Sequence, residues 1–440
     1  MQFRWAIFVL AACGSHHGSS IVDAGGSGGA PCDHALATAS CWTTAPDQDV
    51  LGDPAAAQYA GGAYDGHYVY FAPFVGVNSA QQYTTTGIVA RFDPGADFTS
   101  AVARTTFDTT TIDPNAQGYR GAVFDDRYVY FVPYVIGMPF GGTLTNNGVI
   151  ARFDSTGTFT DPAAWTAFDV ASLPSGGAGF RGATFDGRYV YLPEAQDDVI
   201  RYDTSGDLTA TTSWTSYDVA IGTSSPDLAM DGAVFDGRYI YFIPGDSTTV
   251  IARYDTTADF STATSWTAFD VAGASPHAAG FIGGAFDGRY LYLAPSLGTP
   301  IVRYDTQGDF ATVGSWSTFD PSPLGRTSDG GSGATLGFQA AGFDGRYIYF
   351  VPSVDEPTSS ASEDSGQVIV YDTTGEFSEA GAWSSFDTRT LDTYAADYFG
   401  AVFDGRYMYF PPSSIDGAAA RFDASPADPP SLPQFHGSFF

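Results

Sequence analysis

The residues best suited to chemistry are two arginines and an aspartate, Arg120, Arg181 and Asp231, which hold one position in successive copies of an internal repeat. The seven copies place there, in order, Ala60, Arg120, Arg181, Asp231, Ile282, Gln339 and Phe399. A planar guanidinium binds a carboxylate or sulfate through paired hydrogen bonds. The arginine pair therefore predicts an anion-binding site. The alternative is two solvated arginines that offset nearby aspartates.

Catalysis has weak support. Of the six histidines, only His67 and His277 lie away from the ends of the chain. No Ser/His/Asp order, metal-binding His pair or phosphate-cradling Gly loop is found. We assign no catalytic residue. The enzymatic alternative is a polysaccharide lyase or hydrolase, which would depend on Asp231 with the two arginines.

Metal binding is equally weak, and we assign neither a metal ligand nor a cofactor. Asp231, Asp246 and Asp364 could offer oxygen ligands to Ca²⁺. No segment has the pattern of an EF-hand or a calcium-binding nonapeptide, and Asp beside Gly or Thr usually caps a turn. Calcium stays open as an alternative.

The repeat that positions these residues is best seen in Gly232–Pro244, GAVFDGRYIYFIP. Its aspartate recurs 50 to 61 residues apart, at Asp65, Asp125, Asp186, Asp236, Asp287, Asp344 and Asp404. The copy from Gly232 to Val271 has four short apolar runs, and Asp236-Gly237 between the first two predicts a tight hairpin. The second run is apolar at nearly every residue, which favours a sheet covered on both faces. We therefore predict an all-β, seven-bladed β-propeller of four-stranded antiparallel blades.

The two ends of the chain predict how the ring closes. The segment Cys41–Thr44 looks like the fourth run of a repeat that lacks its first three, whereas Gly400–Asp423 has three runs and no fourth. The N-terminal run should complete the last blade, so that the propeller spans residues 41–423. The Pro-rich tail, residues 424–440, would then lie on the surface, and the alternative is that Leu432–Phe440 pairs in the last blade instead.

Most arginines occupy two framework positions, and the chain has no lysine. One follows the Asp-Gly turn, as Arg238 does, and the other lies two residues before the Asp that closes the third run, as Arg253 does. Antiparallel pairing should bring Arg238 to Asp255 or Asp236. Two departures stand out, His67 at the first position and Val370 at the second. We interpret these arginines as structural.

The order of these features resembles the kelch repeat: a small-residue strand, a tight turn, an aromatic strand, a strand that ends Tyr-Asp, and a loop into Trp. The resemblance covers residues 41–423 and implies a kelch-like propeller. The Gly-Gly that follows the second strand in kelch proteins is absent here, and prolines such as Pro244 stand near its place.

Residues 1–13 have the pattern of an export signal, with Arg4, an apolar stretch and Leu10-Ala11-Ala12-Cys13. This ending resembles a bacterial lipobox, which implies that Cys13 is acylated; the alternative is an ordinary secretory signal. Gly14 after the cysteine favours the outer membrane or the cell surface, outside the cytoplasm. Residues 14–40 would form a Gly/Ser-rich tether. Cys32 and Cys41 would then pair in a disulfide.

Charge limits the partners. The net charge of −31 repels phosphate backbones, which excludes nucleic acid, and it disfavours membrane contact other than through the lipid. We expect a monomer.

One face of the propeller should carry the function. The loops between second and third strands and the blade-to-blade connections open on the same side, here called the loop-rich face. These loops are long at 74–87, 134–148 and 353–367, and one connection is long at 321–340. We predict that this face binds a protein or a carbohydrate through Tyr83, Tyr134, Phe140, Arg120, Arg181, Asp231 and Arg326. The alternative is a surface scaffold with no small ligand.

Overall fold

A computed structural model describes Cys32 and residues 38–46, 56–78, 80, 82–138, 142–194, 198–223, 228–245, 248–275, 280–296, 298, 300–325, 335–356, 363–413 and 417–424. The predicted signal segment with Cys13, nearly all of the tether and the tail beyond Ala424 lie outside the described residues. So do Phe140, Arg326, Asp246 and His277.

Seven four-stranded antiparallel blades form a ring, which confirms the predicted β-propeller. The first blade consists of β2 (Ala56–Tyr64), β3 (Val69–Val77), β5 (Ile88–Phe92) and β6 (Arg104–Asp108). The second consists of β7 (Tyr119–Phe124), β8 (Tyr128–Pro133), β11 (Val149–Asp154) and β12 (Trp165–Asp169). The third consists of β13 (Thr184–Phe185), β14 (Tyr189–Pro193), β15 (Asp198–Asp203) and β16 (Trp214–Asp218).

The remaining blades repeat this order. Blade 4 has β17 (Met230–Phe235), β18 (Tyr239–Pro244), β19 (Val250–Asp255) and β20 (Trp266–Asp270). Blade 5 has β21 (Phe281–Phe286), β22 (Tyr290–Pro295), β23 (Ile301–Asp305) and β24 (Trp316–Phe319). Blade 6 has β25 (Thr335–Phe343), β26 (Tyr347–Glu356), β28 (Gln367–Asp372) and β29 (Trp383–Asp387). Blade 7 has β30 (Val402–Phe403), β31 (Tyr407–Phe410), β32 (Ala418–Asp423) and β1 (Trp42–Pro46).

Strand β1 closes the ring by pairing with β32, where Trp42 lies opposite Phe422. The N-terminal run therefore completes the last blade, as predicted. A short 3₁₀ turn precedes the fourth strand of every blade, for example Ala263–Ser265. Among the described residues, the helical connection between blades 3 and 4 is α1 (Val219–Thr223).

The tight turn between the first two strands is held by its aspartate. In blade 4, Asp236 Oδ1 accepts the backbone N–H groups of Arg238 and Tyr239 over 2.8 and 2.6 Å. The other oxygen, Oδ2, accepts the Tyr241 hydroxyl over 2.7 Å. Gly237 has φ 98°, a conformation that a residue with Cβ rarely adopts. The Asp-Gly pair is therefore required by the turn rather than by a ligand.

Stacked aromatic rings join neighbouring blades. The aromatic residue near the end of a fourth strand stacks on the Trp that begins the fourth strand of the next blade, as Phe269 does on Trp316 over 4.7 Å. Six junctions carry such a pair: Phe107–Trp165, Phe168–Trp214, Tyr217–Trp266, Phe269–Trp316, Phe319–Trp383 and Phe386–Trp42. At the closing junction, between blades 7 and 1, the equivalent positions hold Ala45 and Arg104.

Arg104 keeps one contact of the tryptophan that it replaces. In blade 4 the indole N–H of Trp266 donates to the carbonyl of Phe260 over 2.9 Å. In blade 1, Nη2 of Arg104 donates to the carbonyl of Phe98 over 2.8 Å. The loop before the fourth strand is thus tied in the same way in both blades.

The predicted framework pairs are confirmed. Nη2 of Arg238 donates to Oδ2 of Asp255 over 2.7 Å. Five other blades contain the same pair: Arg127–Asp154, Arg188–Asp203, Arg289–Asp305, Arg346–Asp372 and Arg406–Asp423. These pairs lie at the end of each blade that is opposite to the loop-rich face, since they flank the tight turn.

The second framework arginine is stacked between blades. The guanidinium carbon of Arg253 lies 4.2 Å from the ring centre of Tyr239 in its own blade. It lies 4.3 Å from the ring centre of Phe310, which comes from the loop before the fourth strand of blade 5. The same arrangement recurs in Arg91–Phe159, Arg201–Phe260, Arg303–Phe377 and Arg421–Phe98.

The exception, Val370, coincides with the disulfide. Cys32 and Cys41 are bonded immediately before β1, with Cα atoms 5.6 Å apart. Both cysteines pack in the cluster that contains Val370 and Trp42. Among the described residues this cluster contains the disulfide and no loop Phe, but the cluster between blades 2 and 3 likewise has Leu208 in place of Phe. Arg152 keeps its place there by stacking on Tyr128 over 4.2 Å, so the missing Phe does not by itself account for the valine. Val370 differs in that it packs, fully buried, in the cluster with the disulfide.

Candidate functional site

A β-bulge contains the variable residue in blades 1, 2, 4, 5 and 6, and in blades 3 and 7 this residue follows an isolated β-bridge. In blade 2 the register of β7 against β8 shifts between Tyr119 and Ala122, and this bulge contains Arg120. Gly121 follows it with φ 113°. A bulge of this kind redirects a side chain out of the regular alternation. Tyr119 lies opposite Pro133, at the end of β8, so that Arg120 belongs to the loop-rich face.

The structure brings together the three charged residues that the sequence singled out. Nη2 of Arg120 donates to Oδ1 of Asp231 over 2.9 Å. Nη1 of Arg181 donates to Oδ2 of the same carboxylate over 2.7 Å. The three residues come from blades 2, 3 and 4, and we call them the mouth cluster. The two arginines therefore share an anion that the chain itself provides.

Burial within the mouth cluster is graded. The side chain of Asp231 is 2% exposed, that of Arg120 is 13% exposed and that of Arg181 is 30% exposed. The carboxylate lies beneath the guanidiniums, so that a molecule arriving from solvent meets positive charge first. This burial also leaves Asp231 little access to a substrate, which weakens its case as a catalytic acid or base.

Two aromatic rings hold the guanidinium of Arg120. Its central carbon lies 5.1 Å from the ring centre of Tyr134 and 4.8 Å from that of Phe399. Tyr134 also lies 5.7 Å from the guanidinium carbon of Arg181. Phe399 comes from blade 7, so these side chains span the mouth from blade 7 to blade 4. Cation–π contacts of this kind fix a guanidinium and leave the N–H groups at its edge for hydrogen bonds.

Additional strands extend the loop-rich face in the three blades with long loops. Strand β4 (Tyr83–Thr85) pairs with β3 in blade 1. Strands β9 (Val135–Gly137) and β10 (Leu144–Asn146) form a hairpin in blade 2. Strand β27 (Glu363–Asp364) pairs with β26 in blade 6. The predicted long loops are therefore partly regular structure.

The extensions of blades 1 and 2 form one body, here called the platform and consisting of β4, β9 and β10. The backbone N–H of Gly137 donates to Oγ1 of Thr85 over 3.1 Å. The hydroxyl of Thr84 donates to the carbonyl of Gly137 over 3.2 Å, and that of Thr85 donates to Oε1 of Gln117 over 3.0 Å. The sequence did not predict these hydrogen bonds between blades. The unusual length of the two loops was the only feature that indicated a contact.

The platform presents apolar side chains and adjoins the mouth cluster. Tyr83 is 37% exposed and Leu144 is 41% exposed. Tyr134 connects the two regions, because it directly precedes β9 and its ring centre lies 6.1 Å from that of Phe74 in blade 1. Of the predicted contact residues, the structure thus brings together Arg120, Arg181, Asp231 and Tyr134, and it places Tyr83 on the adjoining platform.

Glu194 is a charged residue of this face that the sequence reading missed. It lies opposite Phe180, next to Arg181. Burial raises the pKa of Glu194 to about 7, and the neighbouring charge of Asp198 adds to this rise. The sequence could have indicated this residue, because it directly follows Pro193 at the end of β14, where the second strand of the blade reaches the loop-rich face.

In the part of the chain that the structure describes, no group of three or more His, Cys, Asp or Glu side chains could hold a metal ion. No described helix has both the length and the apolar character needed to cross a bilayer.

The fold and the mouth together define a seven-bladed propeller with an elaborated loop-rich face. Neither a protein-family model nor a curated protein matches the sequence. Among solved structures, 1029 chains match, and one is Raptor from Chaetomium thermophilum, with a TM-score of 0.52 and 11% identity. The match covers 84% of this chain and 28% of the Raptor chain, so this chain spans less than a third of Raptor's length. At that identity the likeness shows the fold alone.

Proposed function

We propose that the chain is a kelch-like binding protein outside the cytoplasm, attached to a membrane through lipid on Cys13, that captures a partner protein on its loop-rich face. The observation that carries this proposal is the platform, in which strands from two blades are hydrogen-bonded into one body with Tyr83 and Leu144 exposed on it. Exposed aromatic and aliphatic residues on a rigid support are typical of the centre of a protein interface.

Two further observations support the loop-rich face over its opposite. The opposite face contains the tight turns and the framework Arg–Asp pairs, whose side chains already serve the fold. The loop-rich face contains the residues that differ from blade to blade, including the mouth cluster. Variation on a constant scaffold is how repeat proteins acquire specific partners.

The membrane anchor rests on the lipobox-like sequence before Gly14. We expect the Cys13→Ser protein to leave the membrane fraction of the source cell, whereas the Cys32→Ser protein should stay there. Retention of both variants in the membrane would contradict lipid attachment at Cys13.

Crosslinking in intact cells tests partner capture. The full chain should crosslink to one protein in stoichiometric yield, and the Tyr83→Ala/Leu144→Ala variant should lose at least nine-tenths of that product. The matched control is Val102→Ala/Val313→Ala, which removes two exposed apolar side chains from turns on the opposite face, 90% and 48% exposed. Equal capture by both double variants would contradict the proposal, and a polysaccharide captured in place of a protein would replace it with carbohydrate binding.

A further inference from the structure

The mouth cluster has a net positive charge on a strongly acidic protein. Arg120 and Arg181 contribute two positive charges and Asp231 one negative charge, so the cluster is +1 within a chain of −31. At physiological ionic strength, charges further away than about 8 Å are largely screened. A small anion at the mouth therefore experiences mainly the cluster and Glu194, which lies opposite Phe180, next to Arg181.

The geometry of the cluster favours an anion over a cation. Asp231 is covered, while the exposed fraction rises through Arg120 to Arg181. Asp231 accepts from Nη2 of Arg120 and from Nη1 of Arg181, so both guanidiniums face the same carboxylate. The carboxylate also holds the two guanidiniums next to each other, which prepares them for a second oxyanion.

We propose that the mouth cluster recognises a single carboxylate of the captured protein segment, either an Asp or Glu side chain or a chain terminus. This inference rests on the proposed function and names the group that is recognised. One negative charge matches the cluster, whereas a run of acidic residues would be repelled by the surrounding acidic surface. Tyr134 joins the platform to the cluster, so a segment that lies on Tyr83 and Leu144 can continue to the mouth.

A protein segment fits this surface better than a uronate chain does. The platform offers apolar side chains, Tyr83 and Leu144, beside the cluster. An aliphatic or aromatic residue near the recognised carboxylate would contact the platform. A uronate chain carries a negative charge on every sugar. The acidic surface around the mouth would therefore repel it, as it would repel a run of acidic residues.

Matched synthetic peptides test the proposal with the full chain. The first pair is acetyl-Gly-Leu-Tyr-Glu-amide and its Gln counterpart, and the second pair is acetyl-Gly-Leu-Tyr-Gly with a free or an amidated C terminus. Binding is followed by NMR of the arginine Nε–H groups. In at least one pair the acid should bind ten or more times more tightly than its neutral partner, and the pair that responds identifies the source of the carboxylate.

Variants then locate the site. Arg181→Gln should weaken binding of the acidic peptide at least tenfold, and Arg120→Gln should have a similar effect. The control Arg188→Gln removes the same charge from blade 3, from the framework pair on the opposite face, and should change binding less than twofold. Arg181→Lys retains the charge but loses the planar fork, so it should weaken binding at least threefold while thermal melting shows an intact fold.

The outcomes separate this inference from the proposed function. Equal binding of acidic and neutral peptides, or equal effects of Arg181→Gln and Arg188→Gln, would overturn carboxylate recognition. Tighter binding of digalacturonate than of any peptide would replace the protein segment with a glycan. If partner capture in cells depends on Tyr83 and Leu144 but survives Arg120→Gln/Arg181→Gln, the proposed function stands and this inference fails.

Discussion

The guanidinium carbon of Arg253 lies 4.3 Å from the ring centre of Phe310, and the two residues belong to different blades. A cation held between this ring and that of Tyr239 is part of the packing between blades 4 and 5, even though it looks like a surface charge in the sequence. The two framework arginines of one repeat therefore serve the fold in different ways.

We expect Arg253→Ala to destabilise the propeller more than Arg238→Ala does. Arg253 loses two aromatic contacts and the packing of its stem, which together contribute about 1–2 kcal/mol. Arg238 has a side chain that is 58% exposed, and an exposed ion pair contributes little to stability because water and salt screen it. Thermal melting of the two variants measures the difference, and equal melting temperatures would show that the stack adds nothing.

Val370→Arg should destabilise the protein although it restores the residue found at this position in the other repeats. Val370 is fully buried beside the cluster that holds the Cys32–Cys41 disulfide. A charge buried there without a partner costs about 3 kcal/mol or more. The measurement is the melting temperature, with Val370→Ile as a control for added volume; a melting temperature at or above that of the unaltered protein would contradict the cost assigned to a charge buried in this cluster.

The ionisation of Glu194, a residue of the loop-rich face, should make the stability of the folded protein depend on pH. Its pKa is raised to about 7 in the folded protein, chiefly by burial and secondarily by Asp198, whereas the unfolded chain has an ordinary value of about 4.3. A raised carboxyl pKa means that folding is penalised progressively as pH rises from about 4 to 7, with the full penalty above pH 7.

The variant Glu194→Gln removes this penalty. It should therefore raise the melting temperature at pH 8, by an amount that corresponds to about 1 kcal/mol once solvent screening is allowed for. It should have little effect at pH 4. Glu376→Gln, at an exposed glutamate in blade 6, is the control for removing one carboxylate from the protein. A gain at pH 4 as large as that at pH 8 would refute the explanation.

The fold could be predicted from the sequence because it depends on local residue patterns that recur in every repeat. The turn at Asp236-Gly237 needs an aspartate followed by a residue with positive φ, which is Asp126 in the second repeat and Gly in the others, and its recurrence counts the blades. The antiparallel register then places Arg238 beside Asp255. The single apolar run at Trp42 can join a sheet only in the last blade, which lacks a fourth strand. Each of these inferences depends on residues that are close in sequence or on an exact repeat.

The mouth and the platform depend on contacts that no repeat encodes. The sequence placed Arg120, Arg181 and Asp231 at one level of the ring, but it did not show that Asp231 lies buried beneath both arginines. The bond from Gly137 to Thr85 depends on how two loops of unequal length fold against each other. The link between Val370 and the disulfide emerges only when the packing of blade 7 is compared with that of its neighbours.

The pairing of Trp42 with Phe422 also sets the order of events when the protein folds. A chain made from its N terminus carries β1 as an orphan strand until β32 has been synthesised, since the blade that receives it is encoded last. Joining residues that are so distant costs loop entropy, and such long-range contacts slow folding. The ring of Trp42 also stacks on that of Phe386 in blade 6, 4.8 Å away, so most of the chain has to be made before the first strand can pack in its final place.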